Sequence, residues 1–278
     1  MYTASPAPYH GAALPLGGPM YDLHAHILPG LDDGAKTLED FVAMARAAAD
    51  QGTTVMLATP HRRDVTENFS IPYLTNHAAE MADRLVGKDI ELTLLLGMEN
   101  HLDLDLPDAL SSGIALPMNG TRYALVELPF FGHPNYVEEV LFKVQVQGLT
   151  PVLAHPERLE LFQNDPDLLL RLVERGMLSQ VTAGSVTGHF GGKVKRLTHS
   201  LLRRGLVHVL ASDTHFPSGP RSPALRRGMV AAAEIVGEEK ARAMILDTPR
   251  AIVEGGQVEP EQPLYHDPGR RWWSIRRS

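Results

Sequence analysis

Residues 20–26 read MYDLHAH, a short apolar run that ends in two histidines. Six further short apolar runs follow along the chain, at 53–60, 91–98, 122–128, 150–155, 178–185 and 207–213. Stretches with helical periodicity separate these runs, at 38–51, 72–86, 135–147, 166–175, 193–204, 223–236 and 238–246. Seven strands that alternate with helices predict an α/β fold in which the strands are parallel.

The clearest helical pattern covers residues 38–51. Thr37 is placed to act as the N-cap, and Asp40 three residues later gives a pattern that resembles a capping box. Apolar side chains recur at helical spacing, at Phe41, Met44, Ala45 and Ala48. Gly52 follows, and glycine is the residue type that most often ends a helix in the left-handed conformation. The first two strands are therefore expected to be joined by a helix.

Composition excludes several classes of protein. The 278 residues are enough for one large domain or two small ones. Lys and Arg number 26 and Asp and Glu number 33, so the formal net charge is −7. A general nucleic-acid-binding protein carries a basic face, and this charge argues against one. The chain has no cysteine, which excludes disulfides, Cys-ligated zinc or iron–sulfur sites and every cysteine nucleophile.

The chain divides into three predicted segments. Residues 1–19 contain no Lys or Arg and no long apolar run, so they do not fit a signal peptide, and we expect a flexible extension. Residues 20–256 form the predicted α/β domain. Residues 257–278 form a C-terminal tail that includes RRWWSIRR at 270–277. That motif would suit an anionic surface, but a tail packed on the domain or disordered is the interpretation we favour. Because no stretch of about 20 apolar residues occurs, we expect a cytoplasmic protein without a membrane span.

Polar residues collect at the ends of the predicted strands, which is where functional residues gather in parallel α/β folds. Six of the seven strand ends carry such residues: His24 and His26, His61, Glu99, Glu127, His155 with Arg158, and Asp213 with His215. Only the strand at 178–185 lacks an obvious ligand. Residues i and i+2 of a strand face the same side, so His24 and His26 are able to converge on one ion.

These residue types indicate a metal centre. A single strand histidine is more often satisfied by hydrogen bonds, but six strand ends together favour metal ligation. Asp33, in the turn Asp32-Asp33-Gly34 after the first strand, is able to fold back onto the same place. The candidate ligands then number nine: His24, His26, Asp33, His61, Glu99, Glu127, His155, Asp213 and His215. One ion takes four to six donors, so nine imply two or three ions. Imidazole and carboxylate donors without thiolate suit Mn, Fe or Zn.

The motifs, taken in order, resemble those of the PHP (polymerase and histidinol phosphatase) superfamily. They are DLHAH (22–26), DDG (32–34), PHR (60–62), GMEN (97–100), ALVELP (124–129), AHPER (154–158) and ASDTH (211–215). More closely, the chain is similar to the bacterial manganese-dependent protein-tyrosine phosphatases of capsular and exopolysaccharide operons. The resemblance covers about residues 20–255. Two features depart from the family: the residues that precede DLHAH and the tail after 256.

The resemblance implies a distorted seven-stranded (β/α) barrel of PHP type with a trinuclear metal cluster, with Mn as the expected metal. The first ion would take His24, His26, Glu99 and Asp213, the second Asp33, His61 and His215, and the third Glu127 and His155, with Glu99 bridging. Arg158 and Arg221 match the phosphate-binding arginines of the family. A structural ion pair is the alternative role for each arginine.

Such a centre would hydrolyse a phosphate ester by attack of a metal-bridging hydroxide on phosphorus. The resemblance implies a substrate phosphorylated on tyrosine, in particular the tail of a tyrosine autokinase. Three alternatives stay open: a small-molecule phosphoesterase such as a histidinol-phosphate phosphatase, an amidohydrolase, and a non-catalytic regulator that keeps metal only for folding. An amidohydrolase usually has a metal-bridging lysine at a strand end, and the strand ends named above carry none. The oligomeric state is left open.

Overall fold

The computed structural model describes residues 19–259 and 262–265. The strands within these ranges are β1 (Met20–Ala25), β2 (Thr53–Ala58), β3 (Thr93–Leu96), β4 (Asn100–His101), β5 (Tyr123–Glu127), β6 (Thr150–Ala154), β7 (Leu178–Thr182) and β8 (Val209–Ala211). The helices are α1 (Leu38–Asp50), α2 (Arg62–Asn68), α3 (Ile71–Val86), α4 (Leu106–Ser112), α5 (Val137–Val146), α6 (Glu160–Asn164), α7 (Pro166–Glu174), α8 (Ala183–Thr187), α9 (Gly192–Arg203), α10 (Leu225–Val236), α11 (Glu238–Ala243) and α12 (Asp247–Val253).

The strands form two parallel sheets, one in the order β1-β2-β3 and one in the order β4-β5-β6-β7-β8. All pairings within the sheets are parallel, as the alternation of strands and helices predicts. The two sheets meet beside β1, where Asp213 N donates to His24 O and His26 N donates to Thr214 O, each at 2.9 Å. These bonds connect the first strand to the segment that follows the last strand.

The expected count of seven strands is wrong in one place. The predicted strand at 91–98 is short, and β3 and β4 belong to different sheets. The residues between them remain bonded to the end of β2 and the residues after it: Gly97 N donates to Ala58 O at 2.9 Å, and Glu99 N donates to Pro60 O at 3.2 Å. A side chain at Gly97 would approach the backbone of Met118 to 3.3 Å, so this bend needs a small residue. The chain therefore changes sheet over the three residues between β3 and β4, of which Glu99 is the last.

The expected helices are all present within a few residues of their predicted ends. In α1 the Thr37 side chain accepts from Asp40 N and the Asp40 carboxylate accepts from Thr37 N, which confirms the capping box. The helix buries the predicted stripe, and Gly52 follows it with φ +93°. Five further helices were not predicted, because five to seven residues are too few to show a helical period: α2, α4, α6, α8 and α12.

In the part of the chain that the structure describes, the apolar core has three parts. One large cluster lies between the five-stranded sheet and its helices, and a second lies between the three-stranded sheet and α1 and α3. The third joins buried side chains of both sheets: Leu23, Leu57, Leu125, Val152, Leu178 and Val209. Because these residues alternate with those that face the helices, each central strand is buried on both sides, as in other parallel sheets.

The two predicted terminal segments are described only in small part. The expected flexible extension at 1–19 lies outside the described residues except for Pro19, and so do Trp272 and Trp273 of the tail. Where the tail is described, Leu264 N donates to Arg204 O at 2.8 Å and Leu264 O accepts from Arg204 Nε at 3.1 Å. This part of the tail is thus attached to the end of α9. Among the described residues, none of the helices combines the length and the apolar character that crossing a bilayer needs.

His208, expected to be a core or wall residue, is buried just before β8. Its Nδ1 accepts from Ser179 N at 3.0 Å, and burial lowers the pKa of the ring to about 4. The unfolded chain takes up a proton near pH 6.5 that the folded chain does not, so stability falls as pH drops from 6.5 to about 4. His208 therefore lowers the free energy of unfolding by about 3 kcal/mol over this pH range.

We predict that His208→Asn removes this part of the acid destabilisation, because Asn Oδ1 still accepts from Ser179 N and does not titrate. The measurement is the free energy of unfolding by urea at pH 7 and pH 4 for both proteins. We expect the variant to lose about 3 kcal/mol less than the parent between the two pH values. Equal losses in both proteins would contradict the assignment.

Candidate metal centre

Eight of the nine predicted ligands lie at or close to the carboxyl ends of the strands, and Asp33 lies in the DDG turn after β1. His24 is in β1 and His26 follows it; Glu99 lies between β3 and β4; Glu127 ends β5; His155 follows β6; Asp213 and His215 follow β8. His61 precedes α2, and its backbone forms a parallel bridge with Glu99. Eight of the nine side chains are at most a quarter exposed, whereas the Asp33 side chain is 55% exposed. Asp33 therefore marks the opening of the site.

The first group of donors surrounds the two histidines of DLHAH. The Nε2 atoms of His24 and His26 lie 3.1 Å apart. Each lies 3.3 Å from Glu99 Oε2 and 3.6 Å from Asp213 Oδ1. Two ring nitrogens and two carboxylate oxygens thus converge on one place, which is the set expected for the first ion.

The second group lies toward the opening. Asp33 Oδ1 is 3.1 Å from His215 Nε2 and 3.5 Å from His61 Nε2. The ring of His26 is also close, with its centroid 4.0 Å from that of His215 and 4.5 Å from that of His61. The residues expected to bind the second ion therefore lie together. His26 lies between them and the residues expected to bind the first ion.

The third group surrounds the other oxygen of Glu99. His155 Nε2 lies 3.0 Å from Glu99 Oε1 and 3.4 Å from Glu127 Oε1. His61 Nδ1 lies 3.0 Å from Glu99 Oε2, which connects this group to the second. Glu99 therefore contacts members of all three sets.

Donor atoms within 4.8 Å of one another form four overlapping groups. They are His26 with Asp33, His61 and His215; His24 with His26 and Asp213; His24 with Glu99 and His155; and His61 with Glu99 and Glu127. All nine predicted residues appear. The grouping differs from the expected division: His24, His26 and His61 are each shared between two groups, and Glu127 groups with His61 and not with His155. The donor chemistry, imidazole nitrogen and carboxylate oxygen, fits Mn, Fe or Zn.

Two residues that the sequence did not single out orient the central histidines. Gln180 Oε1 accepts from His24 Nδ1 at 2.9 Å, and Asp32 Oδ2 accepts from His26 Nδ1 at 2.6 Å. With the proton on Nδ1, the lone pair of each Nε2 faces the cluster, as a metal ligand requires. The two carboxylates of the DDG turn thus have different roles: Asp32 accepts a hydrogen bond from His26, and Asp33 faces the site.

Gln180 lies in the middle of β7, the strand whose end lacked an obvious ligand. Its only signal in the sequence is a long polar side chain inside an otherwise buried strand. All five residues of β7 are buried, so such a side chain needs a partner within the fold. The inward-facing side of a strand, as well as its end, therefore contributes to the site.

Two of the nine residues adopt a backbone conformation that is unusual for their type. His155 has φ +34° and Asp213 has φ +53°. Left-handed conformations are uncommon outside glycine and cost on the order of 1 kcal/mol or more. Both residues occur where a strand ends in the cluster, and the reversed backbone turns their side chains back toward the other donors.

The carboxylates of the centre favour positive charge on some of its histidines, whereas burial lowers the pKa of His155 to about 4 and also lowers the pKa of His215. Burial opposes protonation of His26, but the Asp32 and Glu99 carboxylates outweigh it and raise its pKa to about 10. Burial likewise opposes protonation of His61, and bonds to Asp33 and Glu99 raise its pKa to about 12. Burial and the charge of Glu99 raise the pKa of Glu127 to about 7. Carboxylates that draw protons onto neighbouring imidazoles form the kind of site that a divalent cation would occupy instead.

Both predicted arginines reach the cluster. Arg158 Nη1 lies 2.5 Å from Asp213 Oδ2. Arg221 Nη2 lies 2.5 Å from His215 Nε2 and 3.4 Å from Asp213 Oδ1, and its Nη1 lies 3.6 Å from Asp33 Oδ2. The arginines thus flank the cluster on the side of Asp213, where an anion bound to the centre would meet both.

Gly34 provides a test of the loop that carries Asp32 and Asp33. A Cβ at Gly34 would lie 1.9 Å from His26 O and 2.5 Å from His26 Cβ, so Gly34→Ala must displace the DDG turn. We expect metal affinity to fall at least about tenfold, the range seen when supporting residues are lost. Titration of the metal-free protein with Mn²⁺, followed by calorimetry, measures it.

The matched control is Gly87→Ala, where the Cβ would meet nothing nearer than 3.7 Å and φ is −67°. This variant is expected to bind Mn²⁺ like the parent. If Gly34→Ala also bound Mn²⁺ with the parent's affinity, the close approach of Gly34 to His26 would have no role in shaping the centre.

The chain is similar to several known proteins. The family model described as capsular polysaccharide synthesis, CpsB/CapC, matches residues 20–254. The tyrosine-protein phosphatase YwqE of Bacillus subtilis is 39% identical over 196 residues, which are 70% of this chain and 77% of that protein. The tyrosine-protein phosphatase CpsB of Streptococcus pneumoniae is 30% identical over 248 residues, which are 84% of this chain and 98% of that protein.

Solved structures extend the comparison. A crystal structure from work on YwqE and CpsB, described as unique metal-dependent tyrosine phosphatases, matches with a TM-score of 0.81 at 33% identity, covering 88% of this chain and 98% of that one. The phosphotriesterase homology protein of Escherichia coli matches with a TM-score of 0.55 at 11% identity, covering 86% and 99% of the two chains, a likeness of fold alone. By the extent of the family match and the identity to YwqE, the chain belongs to the capsular polysaccharide synthesis family CpsB/CapC.

Proposed function

We propose that the protein is a metal-dependent protein-tyrosine phosphatase. The observation that carries the proposal is the convergence of nine imidazole and carboxylate side chains at one end of the parallel sheets, with two arginines beside them. The relatives named above are tyrosine-protein phosphatases, and solved relatives are described as metal-dependent. The absence of cysteine is compatible with this class, because a metal-dependent phosphatase needs no thiol nucleophile.

The centre would hold two to three divalent ions, with Mn as the first expectation and Fe or Zn as alternatives. The proposed ligands are His24, His26, Asp33, His61, Glu99, Glu127, His155, Asp213 and His215. Bound ions of this kind lower the pKa of water and neutralise charge on phosphoryl oxygens. Gln180 and Asp32 support the ligands by fixing the protons of His24 and His26 on Nδ1.

The two arginines would bind the phosphoryl group. Their guanidinium groups present several N–H donors with a permanent positive charge, which suits phosphate. Both lie within reach of Asp213, so a phosphoryl group held at the first donor group would contact them directly. The leaving group of a phosphotyrosine has a pKa near 10, so its departure needs little help from a general acid.

The substrate would be a protein phosphorylated on tyrosine, and specifically the tail of a tyrosine autokinase of capsule or exopolysaccharide synthesis. The family match to capsular polysaccharide synthesis supports this choice. We place the protein in the cytoplasm. We also propose that the two sheets together form a distorted barrel of PHP type. The bonds between β1 and the segment after β8, and the core shared by both sheets, support it.

The first test is elemental analysis of the purified protein together with hydrolysis of a phosphotyrosine peptide, with and without added Mn²⁺. We expect two to three ions per chain and phosphate release that depends on the metal. Metal without peptide hydrolysis, but with hydrolysis of histidinol phosphate, would replace the proposed substrate by a small molecule. No bound metal after reconstitution would overturn the metal centre itself.

A second test distinguishes metal ligands from residues that only support the fold. His26→Ala and Asp213→Ala should each lose metal and reduce phosphate release at least about a hundredfold, because each removes a donor from the first group. His77→Ala is the control: His77 bonds Pro29 O on the other side of the DDG loop and belongs to none of the donor groups. Full metal content and activity in either ligand variant would disprove its assignment. Far-UV circular dichroism checks that each variant is folded.

A further inference from the structure

The guanidinium of Arg158 lies over two phenylalanine rings. Its Cζ is 5.1 Å from the ring centroid of Phe130 and 4.7 Å from that of Phe190. Both distances are within the range in which a ring face attracts a cation. The Arg158 side chain is 14% exposed, and its Nη1 contacts Asp213. One edge of the cation thus meets the cluster while its face meets the aromatic pair, Phe130 and Phe190.

Phe130 is held in place by its own surroundings. Its ring stacks on that of His155, with centroids 5.5 Å apart and planes at 27°. Its carbonyl oxygen accepts from Glu160 N at 3.0 Å, and Glu160 Oε2 accepts from Gly132 N at 2.9 Å. The loop that carries Phe130 is therefore anchored to the start of α6, directly after the turn that carries Arg158.

Phe190 is held from the other direction. It follows α8 in a loop where Gly188 N and His189 N both donate to Gly184 O, at 3.0 and 2.9 Å. A Cβ at Gly184 would lie 3.1 Å from Phe190 Cε2. The glycine therefore leaves just enough room for the ring to pack against α8.

A buried glutamate connects these two parts. Glu157, the residue before Arg158, is fully buried, and its Oε1 accepts from Ser185 Oγ at 2.6 Å and from Thr182 N at 3.0 Å. The turn that carries Arg158 is thereby attached to the start of α8, the helix on which Phe190 packs. This connection fixes the separation of the guanidinium and the Phe190 ring.

We propose that Phe130 and Phe190 are positioning residues for the phosphatase reaction, which hold Arg158 in the orientation that receives the phosphoryl group. The rings contact the guanidinium face, so the N–H donors at its edge that are not bonded to Asp213 stay available for phosphoryl oxygens. An arginine side chain has many rotamers, and restricting them before the substrate arrives reduces the entropy lost on binding. The inference rests on the proposed function, in which Arg158 binds phosphate.

The test uses the full-length, Mn²⁺-loaded protein and the variants Phe190→Leu and Phe130→Leu, which keep an apolar side chain without an aromatic face. We expect the dissociation constant for inorganic phosphate and the KM for a phosphotyrosine peptide to rise about three- to tenfold in each variant. Metal content should not change. For Phe190→Tyr, the dissociation constant and the KM should stay within about twofold of the parent values, because this variant keeps an aromatic ring. The control is Phe142→Leu, whose side chain is 61% exposed on α5.

A double-mutant cycle with Arg158→Ala separates positioning from general packing. Arg158→Ala alone should weaken phosphate binding at least as much as Phe190→Leu does. Adding Phe190→Leu to Arg158→Ala should then change phosphate affinity less than about twofold. If Phe190→Leu kept its full effect without Arg158, or had none in the parent, the positioning role would be overturned. Phe190 lies on a loop, so its variants test the inference even if Phe130→Leu fails to fold.

A spectroscopic measurement on the Zn²⁺-loaded protein, in which no paramagnetic ion broadens nearby signals, reports on Arg158 without any substrate. Ring currents above the guanidinium should shift the Arg158 Nε–H proton signal upfield, and this signal is assigned by its loss in Arg158→Ala. Phe190→Leu should move it downfield, whereas Phe142→Leu should not. A parent protein that released no phosphate at all would contradict the proposed function. If the parent released phosphate but Phe190→Leu left the Arg158 Nε–H signal unmoved, only the positioning role of Phe190 would be contradicted.

Discussion

The buried carboxylate of Glu99 is the group on which the rest of the centre depends. It is 1% exposed, at the point where the chain passes from one sheet to the other. Its two oxygens lie 3.0 to 3.3 Å from ring nitrogens of four histidines, His24, His26, His61 and His155. A carboxylate removed from water is stable only when opposite charge or donors surround it. Three strand ends, those of β1, β2 and β6, must therefore meet around this one side chain, which limits how the two sheets are able to join.

Much of the centre could be predicted from the sequence because its signals are local. The spacing of His24 and His26 in a strand places both rings on one face, and parallel strands bring their carboxyl ends together. The polar residues at the end of each apolar run are then the candidate ligands. The break between β3 and β4 has no such signal, since it depends on Pro60 and Met118, which are distant in sequence. That is why β4, which lies outside the predicted strand at 91–98, was not predicted.

The supporting residues were harder to predict for the same reason. Gln180 is a single polar residue in a buried strand, and only the three-dimensional fold shows that it faces His24. Of the two carboxylates in DDG, which one faces the cluster is decided by the approach of Gly34 to His26. The family resemblance marked Arg158, but the rings over it come from two loops that carry no recognisable motif. Sequence patterns thus identified the groups at the centre better than the groups that hold them.

The junction between β1 and the segment after β8 has a consequence for how the chain folds during synthesis. Asp22 Oδ1 accepts from Ser212 N across a separation of 190 residues. Contacts of such high sequence separation form late, because a long loop must close first. On the ribosome, β1 and β2 are able to pair early. The other edge of β1 stays unpaired until the segment after β8 has been synthesised, when nearly the whole domain has emerged. An unpaired strand edge is a site of wrong pairing, so the nascent chain passes through a stage in which its N-terminal strand is vulnerable to aggregation.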